Sequence, residues 1–239
     1  MRKPMVLRVM TMALVCVLCY AAMAVAAEPA DLPAARGEQS WQDRQASFND
    51  RVKQGNVDMI FIGDSITHGW EGAGKATWDK FYGKRNAVNL GISGDRTQHV
   101  LYRLDNGNID GISPKLAVIM IGTNNASEYT PDQIAGGVKT IVRKLRAKLP
   151  DMKILLLAVF PREEKPGELR AKLIEVNKQI AKLDDGQKVF FLDIGGKLAQ
   201  PDGSLSKDIM PDFLHLSEKG YDIWANSIEP KVKQLLGEK

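Results

Sequence analysis

Four stretches of the chain are runs of mainly apolar residues with no alternation between apolar and polar positions, at 58–63, 116–121, 153–159 and 188–192. A strand that keeps one face in water alternates, so runs of this kind predict strands covered on both faces. A weaker run at 87–90 predicts a fifth strand. Strands buried on both faces are characteristic of parallel sheets, which narrows the class of fold before any single residue is considered.

Segments with helical periodicity separate these runs. The clearest covers 131–149, where Thr130 and Gln133 supply a cap and a capping-box partner. Two more are predicted over 168–183 and 217–236. Strands that alternate with helices indicate an α/β fold, a three-layer α/β/α sandwich around a mainly five-stranded parallel sheet. Ligands of such sheets bind at the carboxyl ends of the strands, so functional residues are expected directly after the apolar runs.

The chain ahead of the first run is predicted to form a polar linker and then an amphipathic helix, within residues 30–55. Four positions of this helix are candidates for burial: Trp41, Ala46, Phe48 and Val52. We therefore expect the helix to pack against the domain that follows.

The first apolar run ends in Gly63-Asp64-Ser65, so a serine leaves a buried strand at the edge where ligands bind. Gly63 would relax the backbone behind this serine. One interpretation is that Ser65 is an exposed nucleophile. The other is that Ser65 caps the following helix, as serine commonly does, and the tripeptide alone does not decide between them.

A serine hydroxyl needs a base to take its proton, and histidine is the obvious base at neutral pH. Of the three histidines, His68 would have to fold back over its own turn to reach Ser65, and His99 lies early in a predicted helix as a surface or pocket-wall residue. His215 follows Asp212 by three positions, so the carboxylate can hold one ring nitrogen while the other acts on Ser65. The alternative for His215 is a buried histidine satisfied by a helix cap.

Acyl transfer also needs donors for the oxygen that becomes negative in the transition state. Gly94, in the loop after the weak run, would let its N–H approach a substrate with no side chain in the way. Asn124 follows the run at 116–121 and brings a side-chain amide to the same edge. Each loop alone is equally compatible with an ordinary turn, because Gly and Asn favour turns.

The first residues predict where the protein works. Arg2 and Lys3 precede an apolar stretch at 10–23 that ends in the small residues Ala24-Val25-Ala26-Ala27, which is the layout of a secretory signal peptide. An uncleaved membrane anchor is the alternative, but the stretch is short for spanning a bilayer and Arg8 interrupts its front. We expect an exported protein, periplasmic or secreted.

On this reading the chain has three parts: a signal peptide at 1–27, a linker with the N-terminal helix at 28–56, and the main domain at 57–239. Cys16 and Cys19 would leave with the signal, and a lipid anchor on Cys19 is disfavoured by Leu18 before it. The mature chain would keep 30 of the 33 basic residues against 29 acidic ones. Such a near-neutral charge gives no sign of a nucleic-acid partner, and no stable membrane span is expected after removal of the signal.

Taken together, the four stretches that contain these candidate residues resemble the SGNH hydrolases, also called GDSL esterases. That family carries a serine, a glycine, an asparagine and a histidine in separate blocks. Here these are Gly63-Asp64-Ser65, Gly94, Gly122-Thr123-Asn124 and Asp212-x-x-His215, in the right order. Within the family the chain is especially similar to the catalytic subunits of the intracellular brain-type platelet-activating factor acetylhydrolase, over about residues 57–236.

The resemblance implies a flavodoxin-like SGNH fold and a serine esterase. Ser65 would attack, His215 would act as base and then acid, and Asp212 would orient it, with the N–H groups of Ser65 and Gly94 and the side chain of Asn124 as the oxyanion hole. No metal and no organic cofactor are implied. A homodimer is left open, because the relatives dimerise and no recognisable motif marks the interface.

The expected substrate is a small-molecule or glycan ester. The relatives prefer short acyl chains, and an exported enzyme, unlike these cytosolic relatives, meets acetylated polysaccharides, so acetyl groups on carbohydrate are the first hypothesis. A lysophospholipase or general short-chain carboxylesterase is the alternative with the same chemistry. The alternative from another class is a non-catalytic carbohydrate-binding domain on the same fold. Relatives that have lost activity usually lack a catalytic residue, whereas this chain keeps all of them. A flavodoxin-like nucleotide binder would need a glycine-rich phosphate loop, which the sequence lacks.

Trp70, Trp78 and Tyr82 follow the Ser65 turn and are either an aromatic wall for the substrate or part of the core, the commoner role of large aromatic residues.

Overall fold

The structure, a computed structural model, describes residues 29–238. Its centre is a five-stranded sheet in which all paired strands are parallel, in the order β2-β1-β3-β4-β5. The strands are β1 Met59–Gly63, β2 Ala87–Gly91, β3 Leu116–Met120, β4 Lys153–Leu157 and β5 Val189–Leu192. The prediction of a five-stranded parallel α/β sheet is confirmed, and the carboxyl ends of all five strands meet at one edge.

Eight α-helices surround the sheet in the described part of the chain: α1 Gln39–Lys53, α2 Ser65–His68, α3 Lys75–Phe81, α4 Thr97–Asp105, α5 Pro131–Lys148, α6 Glu168–Ile180, α7 Gly195–Leu198 and α8 Glu218–Leu236. Parallel strands are joined by right-handed crossovers. The step from β1 to β2 runs one way across the sheet and the later steps run the other way, so α3 lies on one face and α4, α5 and α6 lie on the opposite face. The packing of α3 with α8, and of α5 with both α4 and α6, agrees with this arrangement.

Two of the predicted helices, α5 and α8, begin directly after a residue whose side chain caps them. The Thr130 hydroxyl accepts from the N–H of Gln133, whose side chain accepts from the N–H of Thr130, so both halves of the capping box are present. Ser217 caps α8 by accepting from the N–H of Gly220. The helix predicted over 168–183 ends at Ile180 and continues as a 3-10 turn, Ala181–Leu183.

Helix α1 lies along the β2 edge of the sheet, with Trp41, Phe48 and Val52 buried. Arg44 on this helix donates from Nε to the carbonyl oxygen of Gly91 at 2.8 Å, where β2 ends. The prediction that Ala46 is buried is wrong, since this residue is exposed. At about 100° per residue, Ala46 points roughly 140° away from Trp41, whereas the three buried residues share one stripe.

The large aromatic side chains after the Ser65 turn belong to the core. Trp70 and Tyr82 are no more than 1% exposed, and both contact Phe61 of β1. Trp78, partly buried, completes the cluster with edge-on contacts to Phe61. The interpretation of these residues as core is therefore confirmed for Trp70 and Tyr82, and Trp78 packs with them.

The predicted signal peptide lies outside the described residues. Between residues 29 and 238, no helix combines the length and the apolar character that crossing a bilayer would require.

Candidate active site

Ser65 is the first residue of α2, two positions beyond the end of β1. The side chain that caps this helix is that of Asp64, whose Oδ1 accepts from the N–H of Ile66 at 3.0 Å. The alternative role of Ser65 as the cap therefore does not fit, and its hydroxyl is free to face the edge of the sheet. Gly63 is required behind it, because a Cβ there would lie 2.4 Å from the carbonyl oxygen of Met120 on β3.

His215 reaches Ser65 from the other end of the chain. Its Nε2 lies 2.8 Å from the Ser65 Oγ, and its Nδ1 lies 2.7 Å from Oδ2 of Asp212. With the ring hydrogen on Nδ1, the carboxylate accepts that hydrogen and Nε2 accepts from the serine hydroxyl. A buried histidine satisfied by a helix cap, the alternative raised above, does not describe this geometry.

The loop that carries Asp212 and His215 is held by its own hydrogen bonds. The other carboxylate oxygen, Oδ1 of Asp212, accepts from the N–H groups of Leu214 and His215 at 3.1 and 2.7 Å. Phe213 turns the backbone with a φ of 60°, an uncommon value outside glycine. On either side of this loop, Met210 and Leu216 are buried in the core. The imidazole is thus oriented by a carboxylate that the loop itself fixes.

The pKa of Asp212 is lowered. Burial acts to raise it, but the hydrogen bond from the His215 side chain and those from the backbone N–H groups of His215 and Leu214 outweigh burial. The carboxylate is therefore ionised at neutral pH and suited to stabilise a protonated imidazole. The side chains of His215 and Asp212 are 44% and 55% exposed, so the site opens directly to solvent and a substrate can approach without a large movement.

Two loops bring hydrogen-bond donors to the same edge. Gly94, in the loop after β2, is exposed and has a φ of 80°, which favours glycine. Asn124 lies in a 3-10 turn after β3 and donates one amide hydrogen to the carbonyl oxygen of Asp95 at 2.9 Å. Its second amide hydrogen remains for another acceptor. Within residues 29–238, the N–H groups of Ser65 and Gly94 donate no hydrogen bond.

Sequence reasoning assigned no role to two residues that hold these loops. Asp95 is completely buried and accepts from the side chains of Trp41 and Arg103 at 2.7 and 2.8 Å. Arg162 donates to the carbonyl oxygen of Thr123 at 3.0 Å and so steadies the turn that carries Asn124. A carboxylate directly after Gly94, with an arginine eight positions later in a predicted helix, was the available signal for Asp95.

The sequence model of the GDSL-like lipase/acylhydrolase family matches residues 61–223. The chain belongs to this family. The human platelet-activating factor acetylhydrolase IB subunit alpha2 is 36% identical over 215 residues, which cover 88% of this chain and 93% of that protein. The human alpha1 subunit is 33% identical over 217 residues, covering 89% and 91%. The resemblance found from the sequence blocks is confirmed, and this GDSL-like acylhydrolase is a hydrolase of ester bonds.

Solved structures share the fold of the GDSL-like acylhydrolase. A GDSL-like lipase from Bacteroides thetaiotaomicron aligns with a TM-score of 0.65 at 23% identity, over 80% of this chain and 97% of that one. An acetylxylan esterase from Geobacillus stearothermophilus aligns with a TM-score of 0.59 at 18% identity, over 77% and 96%. The predicted SGNH fold is confirmed by these matches.

The other two histidines of the GDSL-like acylhydrolase are placed differently from His215. His68 lies 3.0 Å from the Ser93 hydroxyl through Nδ1, and burial and the nearby Arg44 lower its pKa. His99 accepts from the N–H of Arg96 at 3.0 Å, and burial, helped by neighbouring arginines, lowers its pKa to about 4. Within the described residues, neither ring forms a hydrogen bond with Ser65. Among residues 29–238, no group of three or more His, Cys, Asp or Glu side chains is arranged to hold a metal ion.

Asp64, the residue directly before Ser65, is a completely buried acid. Burial is the largest influence and raises its pKa to about 7, with the nearby Asp95 acting in the same direction and Arg162 against it. Its second oxygen, Oδ2, finds no hydrogen-bond partner in the described part of the chain. A neutral carboxyl is therefore favoured at this position below neutral pH.

We expect Asp64→Asn to stabilise the protein at pH 8 and to flatten its pH dependence. The pKa of Asp64 is raised from 3.8 to about 7 in the folded protein. The contribution of this carboxyl to the free energy of unfolding is therefore complete below pH 3.8 and is lost as the pH rises through 7. The loss amounts to about 4 kcal/mol at most, and an uncharged asparagine would avoid it. Urea unfolding at pH 5 and pH 8 measures the difference, with the exposed Asp79→Asn as the control. Equal pH dependence in Asp64→Asn and the unsubstituted protein would contradict this account of Asp64.

Proposed function

We propose that the chain is a serine esterase that removes short acyl groups, acetyl first among them, from an oxygen atom of the substrate. Ser65 acts as the nucleophile, His215 as general base and then acid, and Asp212 as the residue that orients the imidazole. The observation that carries the proposal is the linked pair of contacts at His215, 2.8 Å to the Ser65 hydroxyl and 2.7 Å to the Asp212 carboxylate. This is the arrangement that activates a serine for acyl transfer.

The reaction proceeds in two steps. The Ser65 Oγ attacks the carbonyl carbon as its proton passes to Nε2 of His215, and the leaving alcohol takes that proton when the bond between carbon and alcohol oxygen breaks. Acetyl-Ser65 remains. Water then attacks the acyl carbon, giving a proton to His215, and acetic acid leaves as the proton returns to the Ser65 oxygen.

Each step passes through a tetrahedral intermediate with a negatively charged oxygen. The N–H groups of Ser65 and Gly94 and the side-chain amide of Asn124 form its oxyanion hole in this proposal. Support comes from the two backbone donors, which bond to no acceptor in residues 29–238, and from the second hydrogen of the Asn124 amide. Pre-oriented donors of this kind are commonly the largest single contribution to acyl-transfer catalysis.

Asn124→Ala is expected to lower kcat for p-nitrophenyl acetate about a hundredfold, because one of the three oxyanion donors is lost. The thermal midpoint should change little, since the residue is only half-buried. Asn226→Ala is the matched control: this asparagine also donates to a backbone carbonyl, that of Asp222, but lies exposed on α8. A kcat of Asn124→Ala within threefold of the control would remove Asn124 from the oxyanion hole.

The substrate that we propose is an acetyl ester of a carbohydrate. Acetyl is favoured because the relatives above 30% identity are named acetylhydrolases, and carbohydrate because one structure of the same fold is an acetylxylan esterase. The second candidate is an acetylated phospholipid, because the same relatives are named for platelet-activating factor. Acetate release from acetylated glycans and from acetylated phospholipids, beside an acyl-length series of p-nitrophenyl esters, separates the two. Equal rates for acetyl and decanoyl esters would contradict the preference for short acyl groups.

We also propose that the enzyme acts after export. The supporting observation is the sequence of residues 1–27, with its basic start, apolar stretch and small residues before position 28. Residues 28–56 would then be the linker and N-terminal helix of the mature chain, ahead of the domain at 57–239. Mass spectrometry of the protein recovered outside the cytoplasm should find the mature N-terminus near residue 28, and an intact N-terminus there would contradict removal of the signal.

A further inference from the structure

The loop that carries Gly94 is attached to the N-terminal segment at three points. Arg36 donates from Nη1 to the carbonyl oxygen of Ser93 at 2.7 Å, Trp41 donates to the Asp95 carboxylate at 2.7 Å, and Arg44 donates to the carbonyl oxygen of Gly91 at 2.8 Å. All three donors lie ahead of residue 61, where the match to the family model begins. The segment therefore does more than cover the edge of the sheet.

The contact with Arg36 has the most direct consequence for Gly94. The carbonyl group of Ser93 and the N–H group of Gly94 belong to the same peptide unit, which is planar. In a trans peptide these two groups point in opposite directions. A hydrogen bond that fixes the Ser93 carbonyl therefore also fixes the direction of the Gly94 N–H.

The same contact strengthens the Gly94 N–H as a donor. A charged guanidinium polarises the carbonyl that it binds, and hydrogen bonds through one peptide unit reinforce each other. The guanidinium also lies close against Gly94, since a Cβ at this position would be 3.0 Å from Nη1 of Arg36. The side chain of Arg36 is only 20% exposed and its Nη2 is held by Glu38 at 2.9 Å, so it has little freedom to leave.

We propose that Arg36 is a positioning residue for the oxyanion hole, acting through the Ser93–Gly94 peptide. This inference rests on the proposed function, which makes the Gly94 N–H an oxyanion donor. Arg36 does not touch the substrate, so its removal should weaken stabilisation of the transition state and leave ground-state binding almost unchanged.

Arg36→Met tests the proposal because it keeps most of the side chain's volume and removes its donors. We expect kcat for p-nitrophenyl acetate to fall about tenfold and KM to stay within twofold, since both tetrahedral intermediates lose the same support. Phenylboronic acid forms a tetrahedral adduct with an active serine, so its inhibition constant should rise about tenfold. Arg36→Lys keeps one charged donor and should recover at least a third of the lost kcat.

Two control variants separate this role from general structural support. Arg51→Met removes an arginine on α1 that donates to the carbonyl oxygen of Gly55, far along the chain from the Gly94 loop. Glu38→Gln removes the ion pair between Arg36 and Glu38, keeps an amide oxygen that can accept from Nη2, and leaves the contacts of Arg36 with Ser93 and Asp95. Both should keep kcat and the boronic acid inhibition constant within twofold of the unsubstituted enzyme.

Folded Arg36→Met with kcat and the inhibition constant within twofold of the unsubstituted enzyme would overturn the proposal. If Arg36→Met does not fold, Arg36→Gln, whose side chain is too short for the same contact, is expected to show the tenfold losses, and unchanged values would overturn the proposal equally. Failure of the proposed function has a different signature, because Ser65→Ala would then retain hydrolysis and phenylboronic acid would not inhibit.

Discussion

Ser65→Ala is expected to lower kcat/KM for p-nitrophenyl acetate by about 10⁴-fold or more, to the level left by substrate binding and the oxyanion donors alone. The physical reason is that no acyl-enzyme can form without the hydroxyl, which is the group 2.8 Å from Nε2 of His215. Ser65 does not cap α2, so the free energy of unfolding should change by less than about 1 kcal/mol. Steady-state kinetics and urea unfolding measure the two effects separately.

A second serine provides the most informative comparison. Ser93 Oγ lies 3.0 Å from Nδ1 of His68, and Nε2 of that histidine is 3.9 Å from Glu71. Glu71 is already paired with Arg44 at 2.7 Å, which makes it a poor partner for His68. Ser93→Ala should therefore cost far less activity than Ser65→Ala. A Ser65→Ala enzyme with normal activity, or a larger loss in Ser93→Ala, would show that the wrong serine has been assigned.

His215→Ala is expected to reduce kcat by about 10⁴-fold, because the same imidazole takes the serine proton and later protonates the leaving alcohol. The side chain is 44% exposed, so the protein should remain folded. Groups that act as one unit are not additive, and the double variant with Ser65→Ala should be no less active than Ser65→Ala alone. Single-turnover kinetics with p-nitrophenyl acetate would place the loss in the chemical steps.

His68→Ala is the matched control for that prediction, since His68 lies on the same edge of the protein but contacts Ser93 instead of Ser65. Its activity should stay within a few-fold of the unsubstituted enzyme. A loss in His68→Ala as large as that in His215→Ala would contradict the assignment of the base.

Much of the fold could be predicted from the sequence because burial dictates it. Strands covered on both faces have to be apolar throughout, so each of the runs became a strand with ends shifted by only a few residues. Capping chemistry is equally local, and the Thr130 capping box lies where it was expected. The candidate site followed from topology, since parallel strands bring their carboxyl ends to one edge.

What the sequence did not reveal depends on contacts between distant segments. Arg36 resembles any polar linker residue until its guanidinium is seen on the Ser93 carbonyl. The raised pKa of Asp64 likewise comes from complete burial among residues of several elements.

The central claim is that the hydroxyl of Ser65 is the atom that becomes acylated. Reaction of the purified enzyme with a fluorophosphonate, followed by peptide mapping by mass spectrometry, tests this claim directly. One adduct per chain on the peptide that contains Ser65, absent from Ser65→Ala and formed far more slowly in His215→Ala, is the expected result. An adduct on a different residue, or no adduct in a preparation that hydrolyses p-nitrophenyl acetate, would contradict the account.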